Sequence, residues 1–378
     1  MPPDGALIYD TTLRDGSQAE GVSFSTEDKI DILRRLDSFG IDFVEGGWPG
    51  SNPKDHLFFK RATEEKLENT KLTAFGSTMR AGSSPDDDGN LRALLESEAQ
   101  WLTIFGKSWD LQVTHALRTS LEENLRMVEE TVRYLKEQGR NVIFDAEHFI
   151  DGWKENHEYA MSVLNAATSG GAEFLVLCDT NGGSLPWEVA KAVKEVGRFG
   201  VPVGIHAHND GELAVANSLA AVEAGAVMVQ GTINGLGERC GNANLCSIMP
   251  DLVLKMDRRL KVKDIRDLTS LSSFVAEVTN VVADPKLPFV GRSAFAHKGG
   301  VHVSAIERDT RTYEHIDPSQ VGNTRRILVS ELSGTSSILA KLKEFGIEEE
   351  KKNGRSILDY LKRLESEGFQ FEGADASF

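Results

Sequence analysis

The amino-acid sequence predicts an α/β fold, a (β/α)8 TIM barrel followed by small helical subdomains. Short apolar runs, rich in β-branched residues, alternate with segments of helical periodicity along most of the chain. Eight such units within about 250 residues are typical of this barrel. An open, doubly wound sheet is the competing topology, but it rarely needs eight units of such regularity.

Eight runs predict the strands, because each is apolar, rich in β-branched or aromatic residues, and followed by glycine or polar residues. The intervening segments are long enough for the helix that usually connects parallel strands. In chain order, the runs are ALIYDTT, FVEGGW, KLTAFGS, WLTIFG, NVIFDAEHF, FLVLCDT, VPVGIHAH and MVQGTIN.

The segment STEDKIDILRRLDSFG, between the first two strands, predicts an amphipathic helix. Ile30, Leu33 and Leu36 recur at helical spacing and share one face. Ser25 is the expected N-cap, and Gly40 is expected to end the helix.

The segment SLEENLRMVEETVRYLKEQG, before the fifth strand, predicts a longer amphipathic helix. Ser120 and Glu123 have the spacing of a capping box, and Gly139 is expected to end the helix. LAVANSLAAVEAG predicts a further helix between the last two strands. The apolar stripe of the longer helix consists of Leu121, Leu125, Val128, Val132 and Leu135.

A stretch of turn-forming residues, VVADPKLP, predicts the exit from the barrel. We expect the barrel to occupy residues 1–282 and a linker with helical subdomains to occupy residues 283–378. In the latter, SILDYLKRLESEGF places Ile357, Leu361 and Leu364 on one helical face.

The composition excludes several classes of partner. With 58 acidic and 42 basic residues, the formal charge of −16 argues against nucleic acid or an anionic membrane. No apolar segment is long enough to span a bilayer, and we expect no secretory leader from the start MPPDGALIYD. Cys178, Cys240 and Cys246 form no disulfide framework, so a cytoplasmic location is expected.

Polar residues gather where the predicted strands end. In a barrel of this kind the carboxyl ends of all strands meet at one face, where active sites lie. We therefore expect one pocket to be lined by Arg14, Asp15, Glu45, Asp145, Glu147, His148, Asp179, Thr180, His206, His208 and the loop NGLGERCGNANL.

The stretch VPVGIHAHND places two histidines one residue apart at the end of the seventh strand. Residues i and i+2 of a strand point to the same face, so His206 and His208 should project together. Packed barrel histidines are the structural alternative. Two imidazoles beside the Asp15 carboxylate instead predict a divalent-metal site, to which Asn242 could add a carbonyl oxygen. Mn²⁺, Mg²⁺ and Zn²⁺ all stay open.

Three stretches, YDTTLRDGSQAEG, HAHND and GTINGLGERCGNANL, together resemble the isopropylmalate, homocitrate and citramalate synthase family of metal-dependent TIM-barrel acyltransferases. EGGWPGSNPKD and FAHKGGVHVSAI resemble the citramalate branch, which uses pyruvate. TLRDG alone also opens biotin-dependent carboxyltransferase barrels, but all of these motifs in this order are highly specific. The resemblance implies a Claisen condensation of acetyl-CoA with a 2-oxo acid, followed by thioester hydrolysis.

The resemblance also implies which residues hold the metal. Asp15, His206 and His208 would bind it, with Asn242 as a weaker fourth ligand. The 2-oxo acid would chelate the ion through its keto oxygen and one carboxylate oxygen, which polarises the carbonyl carbon.

Further roles around the substrate follow from the same resemblance. Arg14 would stabilise the alkoxide that develops on the keto oxygen. Thr180 would hold the substrate carboxylate, and Glu147 would orient a water molecule or the thioester. Asp145 and Asp179 are alternatively supports for the histidines.

The segment GRSAFAHKGGVHVSAIERDTRTYEHIDPSQVGNTRR supplies the remaining candidates. By the resemblance, His302 is the base that takes a methyl proton from acetyl-CoA, and Tyr313 is a supporting acid. In the family this segment reaches the active site of the partner subunit, so a homodimer is implied. A structural role is expected for His297.

Alternatives stay open for the identity of the oxo acid and for the class of reaction. Pyruvate is expected because Trp48, Phe75 and Phe105 are bulky residues near the strand ends and would leave little room for a larger substrate. The alternatives are 2-oxoisovalerate, the substrate of an isopropylmalate synthase, and 2-oxoglutarate, the substrate of a homocitrate synthase. An acyl-CoA lyase, a carboxyltransferase or a metal-binding scaffold without turnover are the other classes. Cys240 matches a cysteine of the related lyases, and we expect a buried, inert thiol here. The family's C-terminal regulatory domain is expected to be absent from these residues.

Overall fold

The eight barrel strands close on themselves in chain order, so the predicted (β/α)8 fold is confirmed. The structure is a computed structural model that describes residues 5–371. Every neighbouring pair is parallel, and β8 closes the barrel by pairing with both β7 and β1. The strands are β1 (Leu7–Asp10), β2 (Phe43–Glu45), β3 (Lys71–Ser77), β4 (Trp101–Lys107), β5 (Asn141–Glu147), β6 (Phe174–Asp179), β7 (Val203–Ala207) and β8 (Met228–Gly231).

Helices connect the strands and cover the barrel. They are α1 (Thr26–Phe39), α2 (Pro53–Ala62), α3 (Gly89–Glu96), α4 (Asp110–Gln112), α5 (Leu121–Glu137), α6 (Phe149–Glu155), α7 (His157–Gly170), α8 (Pro186–Val196), α9 (Ala214–Glu223), α10 (Leu245–Leu254) and α11 (Leu268–Thr279). Short 3-10 helices occur at Gly16–Gln18, Pro85–Asp87, Gly197–Phe199, Ile233–Gly235 and Ile265–Asp267, and a π-helical turn at Val113–Leu117.

The predicted ends of α1 are confirmed. The Ser25 hydroxyl accepts a hydrogen bond from the Asp28 amide at 3.1 Å, and the Asp28 carboxylate accepts one from the Ser25 amide at 2.7 Å. Gly40 follows the helix with a φ of 99°, a left-handed conformation that favours glycine.

The capping box predicted for α5 is half wrong. Ser120 accepts from the Glu123 amide at 3.1 Å, as expected of an N-cap. The Glu123 carboxylate does not return this bond. It accepts from the Gly82 amide at 2.7 Å and pairs with Arg126, because a charged partner one turn along the helix makes the stronger hydrogen bonds.

A cluster of buried side chains, mostly apolar, occupies the barrel interior. Tyr9, Phe43, Ile143, Val176, Cys178 and Met228 form one buried cluster. The Tyr9 hydroxyl marks its upper limit, because it donates to the Glu45 carboxylate and contacts the hydroxyls of Thr73 and Thr103 at 3.0 and 2.7 Å. Polar groups therefore begin where β1 and β2 end.

The chain divides into two compact units. The first runs to Asp264 and includes Leu271–Val282, and the second contains Ile265–Ser270 and the chain from Ala283 onward. None of the described helices is both long and apolar enough to cross a bilayer.

The second unit is mainly helical, as predicted, and also contains two short strands. Backbone hydrogen bonds join β9 (Ala296–His297) to β10 (Arg326–Ile327) as a small parallel pair. Because each strand is only two residues long, hydrophobic periodicity gave no indication of them. The helices are α12 (Gly300–Ile306), α13 (Thr335–Glu344) and α14 (Lys351–Ser366), with 3-10 turns at Thr310–Thr312 and Pro318–Val321.

A buried ion pair supports the loop that follows β2. The Lys29 ammonium, on α1, pairs with the Asp55 carboxylate, on α2, and donates to the Gly46 carbonyl at 3.0 Å. Asp55 also accepts from the Trp48 amide at 2.9 Å. Both charged side chains are almost fully buried, so each depends on the other for compensation.

We predict that Lys29→Met destabilises the fold, because it leaves the Asp55 carboxylate buried without a counter-ion. The free energy of unfolding should fall by about 3–5 kcal/mol, measured by urea denaturation at neutral pH. Lys60→Met, at an exposed position of α2, is the control and should change it by less than about 0.5 kcal/mol. Equal effects of the two substitutions would contradict this role of the ion pair.

Candidate active site

Three side chains that could hold a metal ion converge at the carboxyl end of the barrel. Asp15 lies in the turn after β1, His206 lies on β7 and His208 directly follows that strand. The His206 Nε2 atom lies 3.2 Å from the His208 Nε2 atom and 3.4 Å from the Asp15 carboxylate. Among the described residues, these three form a group whose ligand atoms all lie within 4.8 Å of one another.

Asn242 lies beside this group, as the sequence predicted. It forms an antiparallel backbone bridge with His208, and its side-chain amide donates to the Leu236 carbonyl at 3.2 Å. Its carbonyl oxygen Oδ1 is buried and has no hydrogen-bond partner among the described residues. A bound cation would satisfy this oxygen, and one carboxylate, two imidazoles and an amide oxygen are suitable ligands for a divalent metal.

The surroundings of Asp15 and His208 favour the protonation states that metal binding requires. Burial acts to raise the pKa of Asp15, but its neighbours, of which the charged Arg14 has the largest effect, outweigh burial and lower the pKa. Burial, reinforced by the neighbouring His206, lowers the pKa of His208 to about 3. A carboxylate and a neutral imidazole therefore face the site at neutral pH.

Arg14 occupies a nearly buried position between two carboxylates. Its guanidinium contacts Asp15 at 3.2 Å, donates to Glu45 and lies 3.8 Å above the centre of the Phe75 ring. Burial alone would lower the pKa of Arg14, but Asp15 and Glu45 raise it above its ordinary value. The predicted arginine is thus part of a buried ionic cluster, not an exposed salt bridge.

Thr180 and Glu147 line the same cavity as the metal-binding group. The Thr180 hydroxyl oxygen accepts from the His148 amide at 2.8 Å, which leaves its proton free to donate to a substrate. Glu147 pairs with Lys107, the last residue of β4.

Behind the cavity, Gln230 connects Asp145 to a metal-binding histidine. Its amide nitrogen donates to Asp145 at 3.0 Å, and its carbonyl oxygen lies 2.9 Å from the Nδ1 atom of His206. Burial, followed by the nearby Glu45 charge, raises the pKa of Asp145 well above its ordinary range. The Asp179 carboxylate instead accepts from the Ser184 hydroxyl at 2.7 Å, and within the described part of the chain it makes no hydrogen bond to a histidine side chain.

Sequence reasoning missed Gln230. The sequence does contain a signal for a functional role, because Gln230 is a polar residue inside the apolar run that forms β8. In the structure all of β8 is buried. Buried polar side chains need hydrogen-bond partners, which are here supplied by strands far away in sequence.

Aromatic side chains form one wall of the cavity. The centre of the Trp48 ring lies 5.9 Å from that of Phe75 and 5.6 Å from that of Phe105. Phe75 and Phe105 stack with a centre-to-centre distance of 5.2 Å. Trp48 is held in place by a hydrogen bond of 2.7 Å from its indole nitrogen to Asn90.

His302 and Tyr313 lie in the second unit, where their rings stack at 4.1 Å between centres. Both side chains are exposed. His297 bonds to the buried Glu314 carboxylate at 3.1 Å, and Arg325 pairs with the same carboxylate.

Cys240 is exposed, so the expected buried thiol is wrong. It lies on the loop between Arg239 and Gly241, both of which have positive φ, and this turn directs the residue to solvent. Cys178, in contrast, lines the cavity and is buried, and burial raises the pKa of its thiol well above the ordinary value.

Two known family models match consecutive parts of the chain. A family model described as HMGL-like matches residues 6–275, and one described as homocitrate synthase post-HMGL domain-like matches residues 289–368. The chain belongs to the HMGL-like family. The matched residues include every predicted metal ligand.

Similar curated proteins include three with a clear relation to the predicted family. The (R)-citramalate synthases of Aquifex aeolicus and Synechocystis are 58% and 54% identical, each over 98% of this chain and 71% and 70% of their own. A probable 2-isopropylmalate synthase of Methanopyrus kandleri is 36% identical over 97% of this chain and 71% of its own.

Solved structures agree on the barrel. A hydroxymethylglutaryl-CoA lyase of Pseudomonas aeruginosa superposes with a TM-score of 0.64 at 18% identity, over 74% of this chain and 95% of its own. The carboxyl transferase domain of Rhizobium etli pyruvate carboxylase gives a TM-score of 0.57 at 15% identity, over 97% of this chain and 61% of its own. At such identities the likeness concerns the fold alone.

We predict that Asp15→Ala and His208→Ala abolish metal binding while the barrel stays folded. Loss of a residue that only hydrogen-bonds to a metal ligand weakens metal binding by roughly 10–100-fold. Each of these substitutions removes a ligand itself, so the affinity for Mn²⁺ should fall further than that. Metal content by plasma mass spectrometry and a Mn²⁺ titration would measure this. His115→Ala, at an exposed histidine, should keep the metal. Wild-type metal content in either ligand variant would refute the assignment.

Proposed function

We propose that this protein is an acyltransferase that condenses acetyl-CoA with pyruvate to give (R)-citramalate and free CoA. The observation that supports this most directly is the metal-binding group of Asp15, His206 and His208 beside the buried guanidinium of Arg14. The names of the more similar relatives, at 46–58% identity, agree with this choice of substrate. Three free thiols favour the cytoplasm as its location.

Asp15, His206 and His208 would hold the divalent cation, with the free oxygen of Asn242 as a fourth ligand. When bound, such a cation supplies Lewis-acid polarisation of a substrate carbonyl. Mn²⁺, Mg²⁺ and Zn²⁺ are all compatible with this set of oxygen and nitrogen ligands.

Arg14 and Thr180 orient the oxo acid. The Thr180 hydroxyl donates its free proton to the substrate carboxylate. Arg14 faces the ketone and stabilises negative charge on its oxygen, because its guanidinium is fixed by Asp15, Glu45 and the Phe75 ring before the substrate arrives.

His302 acts as the base for carbon–carbon bond formation. It removes a proton from the acetyl methyl group, and the resulting enolate carbon attacks the ketone carbon of pyruvate, whose C=O π electrons move to oxygen. Tyr313, stacked on His302, is the associated acid that returns a proton. By resemblance to the family, this pair serves the barrel of the partner subunit in a homodimer.

Glu147 promotes release of CoA. Its carboxylate orients a water molecule toward the thioester carbon. The water oxygen forms a bond to that carbon, the C–S bond breaks, and the proton lost by the water is returned to the leaving thiolate, which gives the CoA thiol. Lys107, which pairs with Glu147, keeps the carboxylate in place.

The cavity favours pyruvate over larger oxo acids for two reasons. Its charged lining is mainly acidic, and Arg14 is its one permanently cationic side chain among the described residues, so a distal carboxylate finds no partner. The wall of Trp48, Phe75 and Phe105 restricts a branched side chain. An extra methylene costs only about 1–3 kcal/mol in an apolar pocket, and steric exclusion adds to this.

We predict a specificity constant for pyruvate at least about tenfold above that for 2-oxoisovalerate, in an assay of thiol release with Mn²⁺. Phe105→Ala removes part of the aromatic wall and should shrink this ratio. Trp187→Ala removes an exposed aromatic residue from α8 and serves as the control. A wild-type preference for 2-oxoisovalerate would instead indicate an isopropylmalate synthase.

We predict that Arg14→Lys lowers turnover without loss of metal, because an ammonium lacks the planar fork that contacts two carboxylates. His302→Ala should bind oxo acid yet fail to exchange the acetyl methyl protons with deuterium, as followed by NMR. Undiminished exchange would place the base elsewhere.

Mixing the Arg14→Lys and His302→Ala variants, each impaired by itself, tests the assignment to two subunits. A heterodimer contains one site with both native residues, so partial activity should return. Absence of recovery from a verified heterodimer would argue for a site within one chain.

A further inference from the structure

Gln230 lies between a metal-binding histidine and a buried carboxyl group. It lies on β8, and the side chain is fully buried. Its Nε2 atom is 3.0 Å from the Asp145 Oδ1 atom, and its Oε1 atom is 2.9 Å from the His206 Nδ1 atom. The amide therefore makes one hydrogen bond to each of two neighbouring functional groups.

These contacts determine which way the amide faces. The Oδ1 atom of Asp145 accepts a hydrogen bond as a carboxylate oxygen and equally as the carbonyl oxygen of a neutral carboxyl group, so the NH₂ group of Gln230 lies on the Asp145 side. Its carbonyl oxygen then faces His206 and can only accept. The Nδ1 atom of His206 must carry the ring proton, and the lone pair of Nε2 points toward Asp15 and His208.

The two histidines differ in whether their Nδ1 atom has a hydrogen-bond partner. The Nδ1 atom of His208 is buried and has no hydrogen-bond partner among the described residues. Its backbone amide donates to the Asp179 carbonyl at 3.2 Å, which positions the main chain but not the ring. His206 is thus the ring whose tautomer and rotation are set before a metal arrives.

We propose that Gln230 is a positioning residue for the metal centre, which holds His206 in the Nδ1-protonated tautomer and thereby sets the affinity for the ion. Asp145 acts through Gln230 by fixing the direction of the amide. The inference rests on the metal site of the proposed function and is independent of which oxo acid the enzyme uses.

The alternative is that Gln230 only fills space in the barrel. Gln230→Met keeps the length of an unbranched side chain but cannot accept the proton of His206. Gln230→Glu keeps an acceptor beside the Nδ1 atom and loses only the donor to Asp145. Gln100→Met, at an exposed position before β4, is the control.

Mn²⁺ titration followed by electron paramagnetic resonance measures affinity in each folded variant. We expect Gln230→Met to weaken Mn²⁺ binding by about 10–100-fold, Gln230→Glu to recover part of this loss, and Gln100→Met to bind as the wild type. A packing role alone predicts equal loss in both Gln230 variants or loss in neither, and either outcome would overturn the proposal.

The tautomer of His206 can be measured in the metal-free protein. In ¹⁵N-histidine correlation spectra of the metal-free protein, His206 should have a protonated Nδ1 and an unprotonated Nε2, and Gln230→Met should mix the two tautomers. A protonated Nε2 in the wild type would overturn the proposal. Wild-type protein that shows this tautomer but binds no Mn²⁺ would refute the affinity claim and the metal centre of the proposed function, whereas failure in the variants alone would refute only the role of Gln230.

Discussion

The buried guanidinium of Arg14 requires two carboxylates, and this requirement organises the carboxyl end of the barrel. Asp15 and Glu45 provide the compensation. Glu45 is itself held by the hydroxyls of Tyr9 and Thr11. A buried charge that loses its partner is strongly destabilising, so these groups depend on one another. β1 and the turn that follows it supply four of the five residues, and β2 supplies Glu45. The parallel pairing of these two strands brings the cluster together.

This cluster also explains the chemistry available in the cavity. The lining carries more carboxyl groups than cations, so it favours a divalent cation beside Asp15 and disfavours a second substrate carboxylate. The negative charge of this lining is reduced at Asp145. Burial raises the pKa of this carboxyl group and so favours its neutral form, because a buried carboxylate without water is unstable. The proposed recognition of a small monocarboxylic oxo acid is consistent with this balance.

The fold by itself leaves the function open. A lyase and a carboxyl transferase domain share the barrel with this chain at TM-scores of 0.64 and 0.57. What separates them chemically is the set of side chains at the strand ends, since the same scaffold serves different reactions. Here these include an aromatic wall, whose Trp48 is held through Asn90 and through the ion pair behind its loop.

The sequence by itself determined the features that depend on local spacing. The alternation of strands and helices indicated the barrel, and the i, i+2 spacing of His206 and His208 indicated a shared face, because strand geometry requires both. Ser25 and Gly40 likewise marked the ends of a helix. Hydrogen-bond partners were decided only by the tertiary structure. Gln230 meets Asp145 across the barrel, and Glu123 turns to Gly82 instead of its own N-cap. Such choices depend on which donors and acceptors the closed barrel brings within about 3 Å, and chain spacing does not encode that distance.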